Sequence, residues 1–388
     1  MNPFSDAFSA LSSLEAALNR EKDRLNIPEF EELKKKDASE RHLRATIRKI
    51  KDQRDGQGVT KAWVKLAEIL FQLGVSNTLK ILAEQNRDQN GNPTLSAFFN
   101  ADLPGGFVFA TNHILTNWKI HLNWLISSYL PREGAEAKSH LADTFGLIEF
   151  NPSHSLVGYI NTDRGQFYSD GDLTLPKVPA ILSELAKNTL SNVHFYTADG
   201  GFSVAGKENL QEKLTLPLIL GEVECGLRCL STGGVFVLKI FTFFTPTLLT
   251  LLGSLIQLFT QYQLFKPMSS GPLNSEMYFI GIGYQGAPSE FVEQLKQARE
   301  ILTGINYDEP TLRVPKMPLI FLHPNQTDGG ISPAIRQQLV YTLTETVQKQ
   351  ISNIQRLLTN QPIEYSSLEP IYKQILPLPA EKRIPQKN

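Results

Sequence analysis

The chain has 388 residues, 41% of them hydrophobic, which suits one large domain with added segments or two domains. Its 38 basic and 39 acidic residues give a formal net charge of -1, which excludes a protein that attracts polyanions through an overall positive field. A nucleic-acid partner would therefore need a local basic patch or cleft. Cys225 and Cys229 are too few for a structural zinc site, so we expect two buried apolar side chains and no metal.

Residues 1–90 predict a helical N-terminal region, because apolar residues recur at helical spacing in AFSALSSLEAAL, HLRATIRKI and KAWVKLAEILFQL. An early Asp and the lack of a basic leader argue against a secretory signal. Within this region the basic residues outnumber Asp37, Glu40 and Asp52; they are Lys34, Lys35, Lys36, Arg41, Arg44, Arg48, Lys49, Lys51 and Arg54. This segment is a candidate phosphate track, although a solvated helix face explains the charges equally well.

Residues 91–285 alternate between helical stretches and the short β-prone runs TLSAFFNA, VHFYTA, VFVLKIF, YQLF and MYFIGIGY. This alternation predicts an α/β domain with a mostly parallel sheet, helices on both faces and a ligand at the carboxyl ends of the strands. Residues 286–388 predict a mainly helical C-terminal extension that contains the apolar run PLIFLHP and a long amphipathic helix. The tail LPLPAEKRIPQKN is rich in Pro and Lys, so we expect it to be mobile.

The stretch from Phe241 to Thr260 has no charged residue over about the length that spans a bilayer. Pro246 and Gly253 interrupt it, and Thr and Gln recur through it. We interpret it as a strand followed by a buried helix that begins at Thr245 and Pro246, and we predict no membrane contact.

Four features in or beside the predicted strands bear on chemistry. The turn Leu103–Phe107 (LPGGF) lets a small molecule approach the backbone, although a tight turn without a ligand fits as well. Asp199 closes one strand, and Glu276 opens another. Lys239 interrupts an apolar strand, where an unpaired ammonium is costly to bury. A structural salt bridge accounts for each charged residue taken singly.

Taken together, these charged residues suit methylation of a ribose. A ribose hydroxyl is a very weak acid, so its attack on a sulfonium methyl needs a base or a nearby positive charge. Two lysines and two acids provide this if a second lysine and burial lower the pKa of the first lysine while the carboxylates align the pair. Lys65, on the predicted helix KAWVKLAEIL, is the candidate second lysine, and Lys61 is the fallback.

The stretch from Val193 to Tyr284 resembles the cap-specific messenger RNA 2'-O-methyltransferases of the FtsJ-like superfamily. The segments that carry the resemblance are VHFYTADGGFSVAGKENLQE, STGGVFVLK, FTPTLL and LFKPMSSGPLNSEMY. Upstream, LPGGFVFATNH, DTFGLIEFNP and SDGDLT resemble the versions of large cytoplasmic DNA viruses of the African swine fever type. The resemblance covers about residues 60–285 and implies a Rossmann-like, S-adenosylmethionine-dependent methyltransferase sheet with helical N- and C-terminal extensions.

The resemblance also implies roles for particular residues. Carried over by position, the catalytic tetrad of the family falls on Lys65, Asp199, Lys239 and Glu276, with Lys239 activating the ribose hydroxyl. The cofactor S-adenosylmethionine would be bound by Pro104, Gly105, Gly106, Phe107 and Asp172. The RNA and its cap would be bound by Asn209, Leu210, Gln211 and Asn274.

The chain departs from the family pattern in two places. Asp102 and Leu103 stand where cellular members have a small residue or Gly before the PGG turn, so the donor would be held differently. Gly271 replaces the arginine of the segment KPxSSRPxNSE, which removes one positive group near the implied RNA path.

The resemblance implies methyl transfer, without a metal, to the 2'-oxygen of the first or second transcribed nucleotide of capped mRNA. Methylation of ribosomal or transfer RNA is the alternative, because the tetrad does not define the RNA. The altered donor turn also leaves open an RNA-binding subunit without turnover, and the terminal helices are compatible with docking on capping or transcription proteins.

A viral origin would place the protein in the host cytoplasm or the virion. Cap-base stacking on Trp63, Trp118 or Trp124 is open, although core packing is the simpler interpretation.

Overall fold

The computed structural model describes residues 3–130, 143–156, 171–202, 204, 206–303 and 331–387. The N-terminal helices are α1 (Pro3–Asp23), α2 (Phe30–Lys36), α3 (Ala38–Arg54), α4 (Lys61–Gln72) and α5 (Val75–Gln85). The central elements are β1 (Thr94–Asn100), α6 (Gly106–Asn117), β2 (His121–Ser127), α7 (Leu147–Phe150), α8 (Val178–Leu190), β3 (Val193–Ala198), α9 (Gln211–Cys229), β4 (Leu230–Ile240), α10 (Pro246–Ile256), β5 (Phe259–Phe265) and β6 (Met277–Tyr284). The C-terminal helices are α11 (Ser289–Thr303), α12 (Pro333–Leu358) and α13 (Glu369–Gln374). The predicted helical extensions are confirmed at both ends.

The sheet has the strand order β2-β1-β3-β4-β6-β5. Its first four strands are parallel, whereas β6 runs antiparallel to both β4 and β5. The five predicted strands are confirmed; the additional strand β2 was not predicted, because polar residues interrupt the first half of HLNWLIS. The reversal of β6 matters for the site, because it brings the start of β6 to the carboxyl end of β4.

The core lies on both faces of the sheet because successive side chains of a strand point to opposite sides. Phe98 and Tyr196 pack under the helices α8, α9 and α10, whereas Phe99 and Phe195 pack under α4, α5 and α6. This arrangement confirms the predicted Rossmann-like α/β architecture with helices on both faces.

Several local predictions can be compared with the structure. Trp63 and Trp124 are buried in the core and Trp118 packs against it, as the simpler interpretation required. Cys225 and Cys229 are buried and free. Thr245 caps α10 by accepting a hydrogen bond from the Leu248 amide at 3.3 Å, and α10 is buried. Within the described ranges, no single helix has the length and apolar character of a membrane span.

The C-terminal tail packs against the core, so the prediction that it is mobile is wrong. Gln57 makes two hydrogen bonds of 2.9 Å with the backbone of Ile384. The Lys387 amide donates to the Phe145 carbonyl at 2.7 Å, and the side chain of Leu378 is buried. These backbone bonds and apolar anchors join residues distant in sequence, which the composition of the tail does not reveal. The run PLIFLHP lies outside the described residues.

Arg299 of α11 is fully buried and ties the C-terminal extension to the core. Its guanidinium lies 2.6 Å from the Glu224 carboxylate of α9. It also donates to the carbonyl oxygens of Thr174 at 3.1 Å and Pro176 at 3.0 Å, in the turn that follows Asp172. Because a buried guanidinium needs its partners, this contact fixes the turn that carries Asp172.

Replacing Arg299 with Ala should lower the free energy of unfolding by roughly 3 kcal/mol or more, because it leaves the buried Glu224 with Arg228 as its remaining ion-pair partner. Urea unfolding followed by circular dichroism measures the change. Lys296→Ala, in an exposed ion pair on the same helix, is the control and should cost less than about 1 kcal/mol. Equal stabilities of the two variants would contradict this role for Arg299.

Candidate active site

The four residues of the predicted tetrad meet in two ion pairs. Lys65 Nζ lies 2.6 Å from Glu276 Oε1, and Lys239 Nζ lies 3.3 Å from Asp199 Oδ1. Each of these side chains is only 11% or 12% exposed, so both pairs are largely removed from water. Lys61, the fallback, instead pairs with Glu40 and is 48% exposed, so Lys65 is the lysine that enters the cluster.

The sheet explains why these side chains meet. Asp199 follows β3 directly, and Lys239 lies near the end of the parallel neighbour β4, where Ala198 pairs with Leu238. Glu276 directly precedes β6, and the antiparallel register pairs Tyr278 with Lys239. The α4 helix packs beside this edge and contributes Lys65. The site therefore lies at the carboxyl ends of β3 and β4, the edge at which open α/β sheets bind ligands.

Tyr278 joins the two ion pairs and was not predicted. Its hydroxyl lies 2.7 Å from Asp199 Oδ1, to which it donates, and 3.4 Å from Glu276 Oε1. Burial, and then the neighbouring carboxylates, raise the pKa of Tyr278 well above its usual value, so the hydroxyl keeps its proton. Alternation along β6 places Glu276 and Tyr278 on one side, which was the available signal, but the apolar run hid it.

The pKa of Lys239 is raised, whereas the sequence predicted that one lysine of the pair would have a lowered pKa. Burial alone would lower the pKa of Lys239, but the charges of Asp199, Glu276 and Glu222 outweigh it and raise the pKa above the usual value. The Lys239 amine also donates to the Asp199 carbonyl at 2.6 Å. Lys239 is therefore an ammonium in the ligand-free protein.

Glu222 of α9 is a buried carboxyl behind the Asp199 strand end and was also not predicted. Its Oε1 accepts a hydrogen bond from the Gly200 amide at 2.8 Å. A Cβ at Gly200 would come within 2.2 Å of the same oxygen, so this close contact requires glycine. Burial raises the pKa of Glu222 to about 8, and the charge of Lys239 offsets this only in part.

The pKa of Glu222 makes stability depend on pH. The unfolded chain ionises Glu222 near 4.5 and the folded protein near 8, so the folded state binds the extra proton between these values. Stability should therefore fall as pH rises through this window, by up to about 1.4 kcal/mol per pH unit from this group. Glu222→Gln cannot ionise and should lose this part of the pH dependence in urea unfolding.

The exposed Glu293→Gln is the matched control and should keep the pH dependence of the original chain. A Glu222→Gln variant whose unfolding free energy still falls as steeply between about pH 5 and about pH 8 would contradict the raised pKa.

The predicted donor residues gather at the carboxyl ends of β1 and β2. The Leu103 amide donates to Ser128 Oγ at 3.0 Å, and a Cβ at Gly171 would come within 2.2 Å of the Ser128 carbonyl. Ser128 therefore lies between the turn containing Pro104 and the turn containing Asp172. Asp172 Oδ1 accepts from the Thr174 amide at 2.9 Å, which shapes its own turn.

The glycines of the LPGGF turn are required by packing. Gly105 has a φ of +99°, and a Cβ there would lie 2.3 Å from Leu147. A Cβ at Gly106 would lie 2.7 Å from Thr60 Oγ1, at the start of α4, and Phe107 is fully buried. Gly106 and Phe107 thus place α6 against α4. This packing agrees with the interpretation, left open by the sequence, that LPGGF is a tight turn required by the fold.

Asp102, which departs from the family pattern, caps α6. Its carboxylate accepts hydrogen bonds from the amides of Phe107 at 3.0 Å and Val108 at 2.9 Å. Burial raises the pKa of Asp102 well above its usual value, and these two bonds work against that shift. The N-terminal amides of α6 therefore face a carboxylate of the chain itself.

The loop that carries Asn274 is held from two sides. Lys266 Nζ lies 2.9 Å from Asn274 Oδ1 and 3.1 Å from the Glu276 carbonyl, and burial lowers the pKa of Lys266 to about 7. The buried Glu68 of α4 accepts from the amides of Met268 at 2.8 Å and Ser269 at 2.9 Å. Lys65 and Glu68 are one turn apart on α4, so the same helix supplies a tetrad residue and anchors this loop.

The other predicted substrate residues lie at the start of α9 and do not contact the two ion pairs within the described part of the chain. The Asn209 amide donates to Asp23 of α1 at 2.8 Å. Leu210 and Gln211 are partly buried where α9 begins. No contact joins these residues to the tetrad among those the structure describes, so their role in binding RNA stays a prediction.

Comparison with known proteins gives the class of the domain. Residues 150–284 match the FtsJ-like methyltransferase family. The chain therefore contains an FtsJ-like methyltransferase domain, and the strands and tetrad described above fall largely within it.

Among curated proteins, the chain is 35% identical over 236 residues to the probable methyltransferase EP424R of African swine fever virus (strain Badajoz 1971 Vero-adapted), covering 60% of this chain and 51% of that protein. It is 32% identical over 248 residues to cap-specific mRNA (nucleoside-2'-O-)-methyltransferase 2 of Danio rerio, covering 63% and 30%. It is 40% identical over 230 residues to cap-specific mRNA (nucleoside-2'-O-)-methyltransferase 1 of Xenopus laevis, covering 57% and 25%. The chain thus spans about half the length of this viral relative and less of the animal ones.

Proposed function

We propose that this protein transfers a methyl group from S-adenosylmethionine to the ribose 2'-oxygen of the first transcribed nucleotides of capped mRNA. The observation that carries the proposal is the pairing of Lys65 with Glu276 and of Lys239 with Asp199 at one edge of the sheet. The names of the animal relatives, which specify cap-specific 2'-O-methylation of mRNA, support the choice of substrate.

The residues at the ends of β1 and β2 fit a bound donor. Asn100 Oδ1 and Ser127 Oγ end these strands and are buried without a hydrogen-bond partner in the part of the chain that the structure describes. Buried polar atoms are normally satisfied, so a polar ligand at this edge would supply what they lack. In this assignment Asp172 and the turn at Pro104 border the donor.

Lys239 is the group we assign to the ribose hydroxyl. Its ammonium stabilises negative charge as it forms on the 2'-oxygen, and Asp199 and Tyr278 hold its position. Lys239 can accept the hydroxyl proton only after losing its own, which its raised pKa opposes in the ligand-free protein. S-adenosylmethionine supplies an electrophilic methyl on a positively charged sulfonium. The sulfonium charge of a bound donor would lower the pKa of the Lys239 ammonium, so that Lys239 could release its proton to water and then accept the proton of the 2'-hydroxyl.

A second candidate function is a methyltransferase-like RNA-binding subunit without turnover. The Asp102 carboxylate at the N-terminus of α6 favours it, because this acid occupies amides beside the predicted donor turn. The intact pairing of the tetrad residues argues against it, because two buried lysine–carboxylate pairs add little net stability for the cost of removing four charges from water.

Purified protein, labelled S-adenosylmethionine and matched capped and uncapped RNAs test the proposal. Transfer should require the cap, and Lys239→Ala should lower kcat by roughly a hundredfold or more because the group that assists the 2'-oxygen is lost. Lys187→Ala, an exposed lysine on α8, is the control and should leave the rate unchanged.

Equal transfer to uncapped RNA would reassign the protein to general RNA 2'-O-methylation, including that of ribosomal or transfer RNA. Donor binding without transfer to any RNA would favour the subunit without turnover. Full activity of Lys239→Ala would contradict the assigned role of that lysine.

A further inference from the structure

The α3 helix presents a continuous basic face to solvent. Its inward face consists of Leu43, Thr46 and Ile50. The opposite face carries exposed cations at helical spacing, namely Arg41, Arg44, Arg48 and Lys51. At 1.5 Å per residue this face extends about 15 Å along the helix.

This basic face begins beside the active site. Lys61 and Lys65 are four residues apart, so they lie on one side of α4, and Lys65 enters the tetrad. Lys61 Nζ lies 2.8 Å from Glu40 Oε2, and Arg44 Nε lies 3.2 Å from Glu40 Oε1. A row of cations therefore leads from the tetrad over the start of α4 onto α3. Lys65 in this row is paired with Glu276, and Lys61 and Arg44 share Glu40.

A cavity of about 340 Å³ lies at the same end of α3. Ser39, in the first turn of α3, lines it together with Lys266, Met268 and Gly271 of the loop that leads to Glu276. The start of α3 and the loop that leads to Glu276 thus share one concave surface, which α12 also lines through Glu345 and Lys349.

We propose that the basic face of α3 binds the phosphates of the RNA chain that extends from the nucleotide in the active site. The proposal rests on the proposed function and names the surface that holds the rest of the same substrate. Arg41, Arg48 and Lys51 form no ion pair among the described side chains, so their charges are available to a polyanion. Because the net charge of the chain is -1, the protein has no overall positive field to attract RNA, and a local basic patch supplies the attraction instead.

The test compares two triple variants with equal loss of charge. One replaces Arg41, Arg48 and Lys51 with Gln, which leaves the tetrad and the inward face of α3 intact. The control replaces Lys80, Lys177 and Lys187 with Gln; these exposed lysines lie on or next to α5 and α8. Affinity for a long capped RNA is measured by fluorescence anisotropy over a range of salt concentrations, and methyl transfer is measured with the long RNA and with a capped dinucleotide.

The α3 variant should bind the long RNA on the order of tenfold to a hundredfold more weakly, with the slope of log affinity against log salt reduced by about 2. Its kcat at saturating RNA and its activity on the capped dinucleotide should equal those of the original chain, because the dinucleotide does not reach α3. The control should bind the long RNA as the original chain does.

Unchanged RNA affinity of the α3 variant would overturn the proposal and leave these cations as a solvated helix face. Equal weakening by the control would overturn it as well, because the effect would then be one of net charge. The binding measurement does not require turnover, so a chain that binds RNA through α3 but methylates none would refute the proposed function while leaving this surface assigned.

Discussion

The pairing of two largely buried lysines with two carboxylates is the constraint on which the rest of this structure depends. Moving these charges out of water is costly. Removing one partner of a pair would leave a buried charge unpaired and destabilise the fold by several kcal/mol. Two ion pairs offset this cost, Lys65 with Glu276 and Lys239 with Asp199. The Tyr278 hydroxyl connects the two pairs. The cluster persists only if α4, β3, β4 and β6 hold their relative positions.

This requirement gives the N-terminal helices a role in the site. The α4 helix supplies Lys65 and, one turn later, Glu68, which binds the amides of Met268 and Ser269. Gly106 allows α6 to approach α4 closely, because any side chain there would meet Thr60. The matched family region covers residues 150–284, so the lysine that completes the tetrad comes from outside it.

Much of this arrangement could be predicted from sequence, and the exceptions share a physical reason. Asp199 and Lys239 stand at or near the carboxyl ends of recognisable apolar strands, and the parallel topology predicts that such ends converge. Glu276 opens its strand, so it reaches the same edge only because β6 runs antiparallel to β4. Lys65 was the weaker prediction because a helix offers two lysines, Lys61 and Lys65, and only packing decides which one is buried.

Tyr278, Glu222 and the C-terminal tail were missed because their importance arises from contacts between residues distant in sequence. Tyr278 appears as one more apolar residue of a strand until the register places it beside Lys239. Glu222 lies in a helix of ordinary composition, and its raised pKa arises from burial behind Gly200. The tail is anchored by Gln57, a residue with no sequence signal of that role.

The position of the transferred methyl group tests the central claim most directly. The RNA product, formed from capped RNA and isotopically labelled S-adenosylmethionine, would be digested with nuclease, and its nucleosides analysed by mass spectrometry. Because the lysine–carboxylate cluster is assigned to a ribose hydroxyl, the label should be found on the 2'-oxygen of a cap-proximal ribose. Label on a base, or on the cap guanine, would contradict the account.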